Sequence, residues 1–281
     1  MSELKKNGHF KPVTWVISAI LILVGLIFMI PFAYLFINSF KGTTEYIMTP
    51  FKLPAFPLDW KTFKVMLTNF KILKYFKNTA IVAVISEIII IPISVCTAFT
   101  FAKLKFRGSN LIYLLMVAAM TIPAQVTAIP VYIYFGKLGL LNNYLGLIIW
   151  NLTLICGCTV MMTSFFKLIP NELLDSAKVD GCGYFGTILN VVIPVGKPTI
   201  IIQIILNLTN LWNELFMAKI ILQKSSMRTV MVALTMLEDQ YAEYPTYSFA
   251  GMVLAAIPTI VLFFAFQKYI IKDAMGGAVK G

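Results

Sequence analysis

Residues 78–102 read NTAIVAVISEIIIIPISVCTAFTFA, and this stretch decides the fold class. It is almost wholly apolar and carries one charged residue, Glu87. About 20 helical residues cross the roughly 30 Å hydrocarbon core of a bilayer, so a stretch of this length is a candidate membrane span. An isolated strand is excluded, because backbone polar groups inside lipid must be satisfied within a helix or a closed barrel. The stretch therefore predicts a transmembrane helix.

Five more apolar runs of similar length occur along the chain. The six predicted spans cover residues 13–37, 78–102, 110–135, 144–166, 198–222 and 248–271. The composition agrees, because 59% of the residues are hydrophobic and only 12% are charged, whereas about a quarter are charged in soluble domains. The mean hydropathy of +0.85 points the same way. We therefore expect an all-α integral membrane protein, a single transmembrane domain over residues 1–281 with the lipid bilayer around it.

The net charge of +11 lies almost wholly between the apolar spans. Attraction to anionic lipid headgroups and the rules of membrane insertion explain such charges, so no nucleic-acid partner is predicted. Lys5, Lys6 and Lys11 precede the first span, and residues 103–107 form a short basic turn. Basic segments favour the cytoplasm, and six spans return the chain to its starting side. Both termini are therefore predicted to be cytoplasmic.

The longest segment predicted on the cytoplasmic side is the loop 167–197. Its residues 170–181 read PNELLDSAKVDG. Pro170 breaks the preceding helix, Asn171 can cap a new one by accepting backbone N–H bonds, and Gly181 can adopt the left-handed conformation that ends it.

A second short helix is predicted from about Tyr184 until Pro194 interrupts it. This helix–Gly–helix element is either an ordinary amphipathic loop or a docking surface for a soluble partner. The pattern alone leaves both interpretations open.

Polar side chains recur along the predicted fifth span at Gln203, Asn207, Asn210 and Glu214. At about 100° per residue they fall on one stripe of a helix. Amide and carboxyl groups can exchange hydrogen bonds with a polar solute. Gln125 lies between two prolines of the third span, where a broken helix can expose carbonyl groups. These five residues are candidates for a translocation path, although the stripe could equally be hydrogen-bonding contacts between helices.

Enzymatic and metal sites are not predicted. The one histidine, His9, precedes the first span, and the four cysteines lack the spacing of a zinc site. Residues 181–186 spell the glycine pattern of a dinucleotide site, but no strand precedes them. We therefore expect no catalytic residue, no bound cofactor and no metal in this chain.

Residues 175–182, DSAKVDGC, resemble the EAA loop of ATP-binding-cassette importer permeases. The usual pattern there is Glu-Ala-Ala, two further residues, then Asp-Gly-Ala. Asp175 stands where that pattern has Glu, and Ser176 and Cys182 replace alanines with other small residues. Five further stretches are similar to motifs of the maltose-type sugar permeases, in the right order: 121–130 (TIPAQVTAIP), 137–142 (KLGLLN), 211–214 (LWNE), 267–269 (QKY) and 276–281 (GGAVKG).

This resemblance covers nearly the whole chain and implies a type I ABC importer permease, the member of the permease pair without a large extra periplasmic domain. It implies that a sugar or oligosaccharide crosses a bacterial inner (plasma) membrane by alternating access. The implied partners are a second homologous permease, two copies of an ABC ATPase that bind ATP and Mg, and an extracytoplasmic sugar-binding protein. The implied coupling helix and its companions are Asp175, Ser176, Ala177, Asp180, Gly181, Gly276, Gly277 and Gly281.

Two other functions stay open at this point. An ion-coupled secondary transporter would need an intramembrane ion site, which Glu87 or Glu214 could supply. An ABC importer for a solute other than a sugar would share the same loop and spans.

Overall fold

The computed structural model describes residues 12–278, and within them the side chains of 15–237 and 239–267. The described residues form helices joined by turns and loops, with no strand among them, which confirms the predicted all-α class. In chain order the α-helices are α1 (Pro12–Asn38), α2 (Thr43–Met48), α3 (Lys61–Thr68), α4 (Ile72–Lys103), α5 (Ser109–Met120), α6 (Ala124–Lys137), α7 (Tyr144–Asn151), α8 (Leu154–Phe166), α9 (Asn171–Val179), α10 (Tyr184–Thr187), α11 (Ile193–Trp212), α12 (Phe216–Ile221), α13 (Val230–Leu234), α14 (Leu237–Gln240) and α15 (Pro245–Ala278).

The described residues cluster into two compact units, where the sequence predicts one domain. The first unit contains residues 12–70 and 237–254. Within it, α1 exposes almost every side chain from Trp15 to Ala33, and nearly all of them are apolar. A helix that is apolar on every face is stable only in lipid or among other apolar helices.

The second unit contains residues 71–236 and 255–278 and is organised around α4. This helix packs against α7, α8 and α11. One apolar cluster joins α4, α8, α9 and α11 and includes Phe99, Phe166 and Leu174. A second cluster joins α4 to α6, α7 and α12, with Leu147 and Met217 at its centre.

Five helical stretches in the described part of the chain are long and apolar enough to cross a membrane. The pair α5 and α6 makes a sixth if it counts as one span, which agrees with the predicted number. These two helices meet at 95°, so the third span predicted over 110–135 is broken directly before α6, the helix that contains Gln125. Pro123 lies directly before α6 and lacks the N–H group that would continue α5. Pro130, by contrast, lies inside α6.

The fifth span begins and ends earlier than the predicted 198–222. It runs from Tyr184 to Trp212 and passes through a π-helical turn, Ile188–Val192, before α11. Pro194 does not interrupt it, contrary to the prediction, because it lies in the first turn of α11. The π-helical turn directly before it already replaces the i→i−4 bonding pattern that a proline would break.

Candidate functional site

The helix α9 projects as a short stub between two spans, and its end is fixed by backbone geometry. Gly181 adopts φ +81°, the predicted left-handed conformation. The N–H of Cys182 donates to the carbonyl of Ala177 at 2.9 Å, and the N–H of Gly181 donates to the carbonyl of Lys178 at 3.0 Å. This pair of bonds is a Schellman ending, which satisfies carbonyls that a helix end otherwise leaves without partners.

The beginning of α9 differs from the prediction. Pro170 takes the capping position and provides no side-chain bond, while Asn171 is already the first helical residue. The Asn171 side chain does not cap the helix, because its Oδ1 accepts a hydrogen bond from Lys103 Nζ at 3.1 Å. Sequence reasoning missed Lys103 in this role, because it lies far away along the chain.

One side of α9 is buried against its own bundle. Leu174 and Ala177 are each only 6% exposed. Ala177, one of the residues that the resemblance assigns to coupling, is thus buried in the chain's own bundle. Its side chain faces inward, since the helix presents positions 174 and 177 together, three residues apart.

The polar residues predicted for coupling lie on the exposed side of the stub. Asp175 pairs with Lys178 of the same helix, with Oδ1 and Nζ 2.8 Å apart. The hydrogen bond with Asp175 raises the pKa of Lys178. The Ser176 hydroxyl donates to the carbonyl of Glu172 at 2.9 Å, and Asp180 is exposed. Asp175 thus already has a cation within its own helix.

Large apolar side chains stand exposed on and beside the stub. Val179 is 87% exposed, and Tyr184 and Phe185 are 66% and 67% exposed. The sequence analysis did not select these three residues. Val179 stands between the polar residues Lys178 and Asp180, and this position was a signal of an exposed apolar side chain. Such a patch is typical of an interaction surface.

Three glycines were predicted near the C-terminus. Gly276 and Gly277 lie in the last turns of α15. Gly281 lies outside the described residues.

A cavity of about 580 Å³ lies within the second unit, beside α11. It is bounded by the bend between α5 and α6, by α7 and α8, and by one side of α11. Three of the five predicted path residues line it. Its wall includes Trp150, Cys158, Met161, Gln203, Asn207 and Asn210.

Gln125 and Glu214 do not line this cavity. Gln125 is exposed at the start of α6. Glu214 lies beyond the end of α11, and its Oε1 accepts a hydrogen bond from the N–H of Met217 at 2.8 Å. The carboxylate therefore stabilises the first turn of α12, and the predicted stripe ends at Asn210.

Asn207 connects the cavity wall to the buried centre of the bundle. Its Nδ2 donates to Sγ of Cys158 at 3.1 Å and contacts Oε1 of Glu87 at 3.4 Å. Gln203 Nε2 donates to the sulfur of Met161 at 3.3 Å. Asn207 and Gln203 thus face the cavity and also bond between helices, so the two interpretations of the polar stripe are not exclusive.

Among the described side chains, the polar groups of this site do not form a metal centre. No three His, Cys, Asp or Glu side chains come together to hold a metal among the described side chains of residues 15–237 and 239–267. Oε2 of Glu87 is buried without a hydrogen-bond partner.

Comparison with known proteins identifies the family. A sequence model described as the binding-protein-dependent transport system inner membrane component matches residues 90–275. A putative ABC transporter permease protein, ORF2 of Caldicellulosiruptor sp. (strain Rt8B.4), is 33% identical over 91% of this chain and 93% of its own length.

Two further relatives carry substrate names. The probable starch degradation products transport system permease protein AmyC of Thermoanaerobacterium thermosulfurigenes is 29% identical, over 92% of this chain and 94% of its own. The arabinooligosaccharides transport system permease protein AraQ of Bacillus subtilis (strain 168) is 26% identical, over 99% of this chain and 100% of its own.

The fold has a counterpart among solved structures. A chain of a bacterial ABC transporter involved in the import of the acidic polysaccharide alginate superimposes with a TM-score of 0.74, at 20% identity, over 94% of this chain and 99% of that one. The type I importer permease fold expected from the sequence is thereby confirmed. The chain belongs to the family of binding-protein-dependent transport system inner membrane components.

Proposed function

We propose that this chain is one of two homologous permeases in an ATP-driven importer of a sugar or oligosaccharide. An extracytoplasmic binding protein delivers the sugar, and two copies of an ABC ATPase bind ATP and Mg and supply the energy. Substrate names of relatives such as AmyC and AraQ support the sugar class. The chain itself supplies the membrane path and does not hydrolyse ATP.

The exposed apolar patch of Val179, Tyr184 and Phe185 is the observation that carries this proposal. Leu174 and Ala177 hold α9 on the bundle, while this patch faces away from the chain's own core. A stub that is anchored on one side and carries exposed apolar side chains at and beyond its end is suited to receive a separate protein. We assign the ATPase to it, in the manner that the coupling-loop resemblance implies.

The cavity beside α11 supports a sugar as the transported solute. Its volume of about 580 Å³ falls within the usual range of small-ligand sites. Asn207 and Asn210 present amide groups to it, and Trp150 offers an amphipathic aromatic surface. Amides that bond sugar hydroxyls and a ring that covers an apolar sugar face would let a hydrated solute cross an apolar bundle.

Orientation is part of the proposal, with both termini and the stub in the cytoplasm. Cys182 follows the stub and is partly exposed. In a variant whose other cysteines, Cys96, Cys156 and Cys158, are alanine, a membrane-impermeant maleimide should label Cys182 in inside-out vesicles. Labelling in right-side-out vesicles instead would reverse the orientation.

The function is tested by reconstituting the chain with a homologous permease, an ABC ATPase and a sugar-binding protein from the same cell. Labelled maltooligosaccharides and arabinooligosaccharides are offered to the proteoliposomes. We expect uptake that requires ATP and the binding protein, and that stops with vanadate.

Two outcomes would contradict the proposal. Uptake driven by an ion gradient without ATP would favour the ion-coupled transporter instead. Membership of the binding-protein-dependent family argues against that alternative. ATP-dependent uptake of a non-sugar solute, with no sugar transported, would retain the importer and replace its substrate.

A further inference from the structure

Lys103 is the last residue of α4, and its ammonium group meets three oxygen atoms of the connection between α8 and α9. Its Nζ donates to the carbonyl of Ile169 at 2.5 Å, to Oδ1 of Asn171 at 3.1 Å and to the carbonyl of Lys167 at 3.2 Å. An ammonium has three N–H donors, so its hydrogen-bonding capacity is used in full. We call this group of contacts the Lys103 latch.

The three acceptors are well suited to a cation. The carbonyls of Lys167 and Ile169 follow the end of α8, where a helix carries partial negative charge. Asn171 is the first residue of α9. One side chain therefore joins the end of one span, the end of another and the start of the stub.

Apolar packing beneath the latch holds the stub in a different manner. Leu174 of α9 lies in one apolar cluster with Phe99 of α4 and Phe166 of α8. Apolar contacts are non-directional, so they resist separation more than sliding. The hydrogen bonds of Lys103 depend on distance and angle, and they fix the first turn of α9 against the end of α4.

We propose that Lys103 is a positioning residue that makes α9 and α4 move together. The proposal rests on the proposed function, in which a partner ATPase displaces the stub. With the latch intact, displacement of α9 pulls α4 directly. Without it, residues 167–170 can absorb part of the movement.

Helix α4 leads from the latch to the cavity wall. At 1.5 Å per residue, Glu87 lies about 24 Å back along the same helix. Its carboxylate contacts Asn207, which lines the cavity. A shift of α4 therefore moves residues both at the stub and beside the path for the solute.

The test compares Lys103→Met with Lys105→Met in the reconstituted full complex, measuring sugar transported per ATP hydrolysed. Lys105 is an exposed lysine two residues further on, so Lys105→Met removes the same charge as Lys103→Met without removing the latch. We expect Lys103→Met to lower the ratio about fivefold or more while ATP hydrolysis continues, the size of a typical coupling between sites. Lys105→Met should stay within about twofold of the original ratio.

Two further variants separate positioning from simple stability. Lys103→Arg retains several donors and should restore at least half of the ratio. Asn171→Ala removes one of the three acceptors and should lower the ratio about threefold, outside the twofold range of the control, even if Lys103→Met fails to assemble.

Equal ratios for Lys103→Met and Lys105→Met in intact complexes would overturn the latch, as would an unchanged ratio for Asn171→Ala. If the original complex itself shows no ATP-driven uptake, the proposed function fails instead. The two failures are therefore distinguishable.

Discussion

The stub and the cavity wall belong to the same compact unit, yet they are built from different kinds of interaction. The stub depends on backbone geometry, with a left-handed glycine at its end and backbone carbonyls as acceptors of Lys103. The cavity wall depends on side-chain chemistry, with amides, a thiol and a buried carboxylate bonded between helices. We therefore expect the stub to tolerate loss of its exposed charges, Asp175 and Lys178, and to fail when its backbone changes. The cavity wall should behave in the opposite way.

The largest effect is expected from Gly181→Val. A residue with a Cβ atom in the left-handed conformation costs about 1–2 kcal/mol, and a β-branched residue costs more. The Schellman ending should open and turn the exposed patch, so uptake should fall about tenfold or more while the protein still inserts. ATP-dependent uptake and co-purification of the ATPase measure this.

Gly183→Val is the matched control. Gly183 has φ −70°, and a Cβ atom there would meet nothing within 4 Å, as at Gly181. A similar loss of uptake in both variants would mean that the added side-chain volume causes the loss, and not the change at a left-handed backbone position.

A smaller effect, on stability, is expected from Asn207→Leu. This change removes the partner of Cys158 and the contact to Glu87, and it leaves a buried carboxylate uncompensated. The expected cost is roughly 1–3 kcal/mol of unfolding free energy. Thermal unfolding in detergent measures it, and an unchanged melting temperature would show that the amide is not a structural contact.

Asn210→Leu should lower transport without lowering stability. Asn210 is exposed and lines the cavity, so its loss removes a contact to the solute and leaves no buried group unpaired. We expect about a fivefold loss of uptake, the value of one hydrogen bond. Gln125→Leu, an exposed amide that does not line the cavity, should change little. Equal effects of the two variants would remove Asn210 from the path.

The smallest effect is expected from Asp175→Asn. The pair of Asp175 and Lys178 is exposed, and exposed pairs contribute little, so uptake should change by less than about twofold. The pKa of Lys178 is raised, so this lysine stays charged and the pair stays intact up to an alkaline pH above the ordinary range of lysine. The pair is lost only when the pH rises through that raised pKa. Uptake by the original chain should show no step from this pair between about pH 6 and 9. A large loss on Asp175→Asn would mean that the carboxylate meets the partner directly.

The sequence predicts what depends on local residues and misses what depends on distant ones. The apolar runs predict the helices, and Gly181 follows from its place after a short amphipathic run. Asn171 illustrates the limit, because its predicted capping role was replaced by a bond to Lys103, a residue on another helix.

The path residues show the same limit. Spacing on one helix groups Gln203, Asn207 and Asn210, and the cavity includes them. Glu214 shares the spacing, but α11 ends before it, so the stripe does not reach that far. The inward orientation of Ala177 could not be predicted either, because the apolar pattern of a short helix does not say which side meets its own bundle.

Val179 is the most exposed large apolar residue of the stub, and its modification would report directly on docking. In a Val179→Cys variant whose four native cysteines are replaced, an impermeant maleimide is applied to inside-out vesicles with and without the bound ATPase. We predict rapid labelling of the permeases alone and strong protection once the ATPase is bound. Equal labelling in both states, or labelling only from the outer face, would show that the stub does not receive the motor.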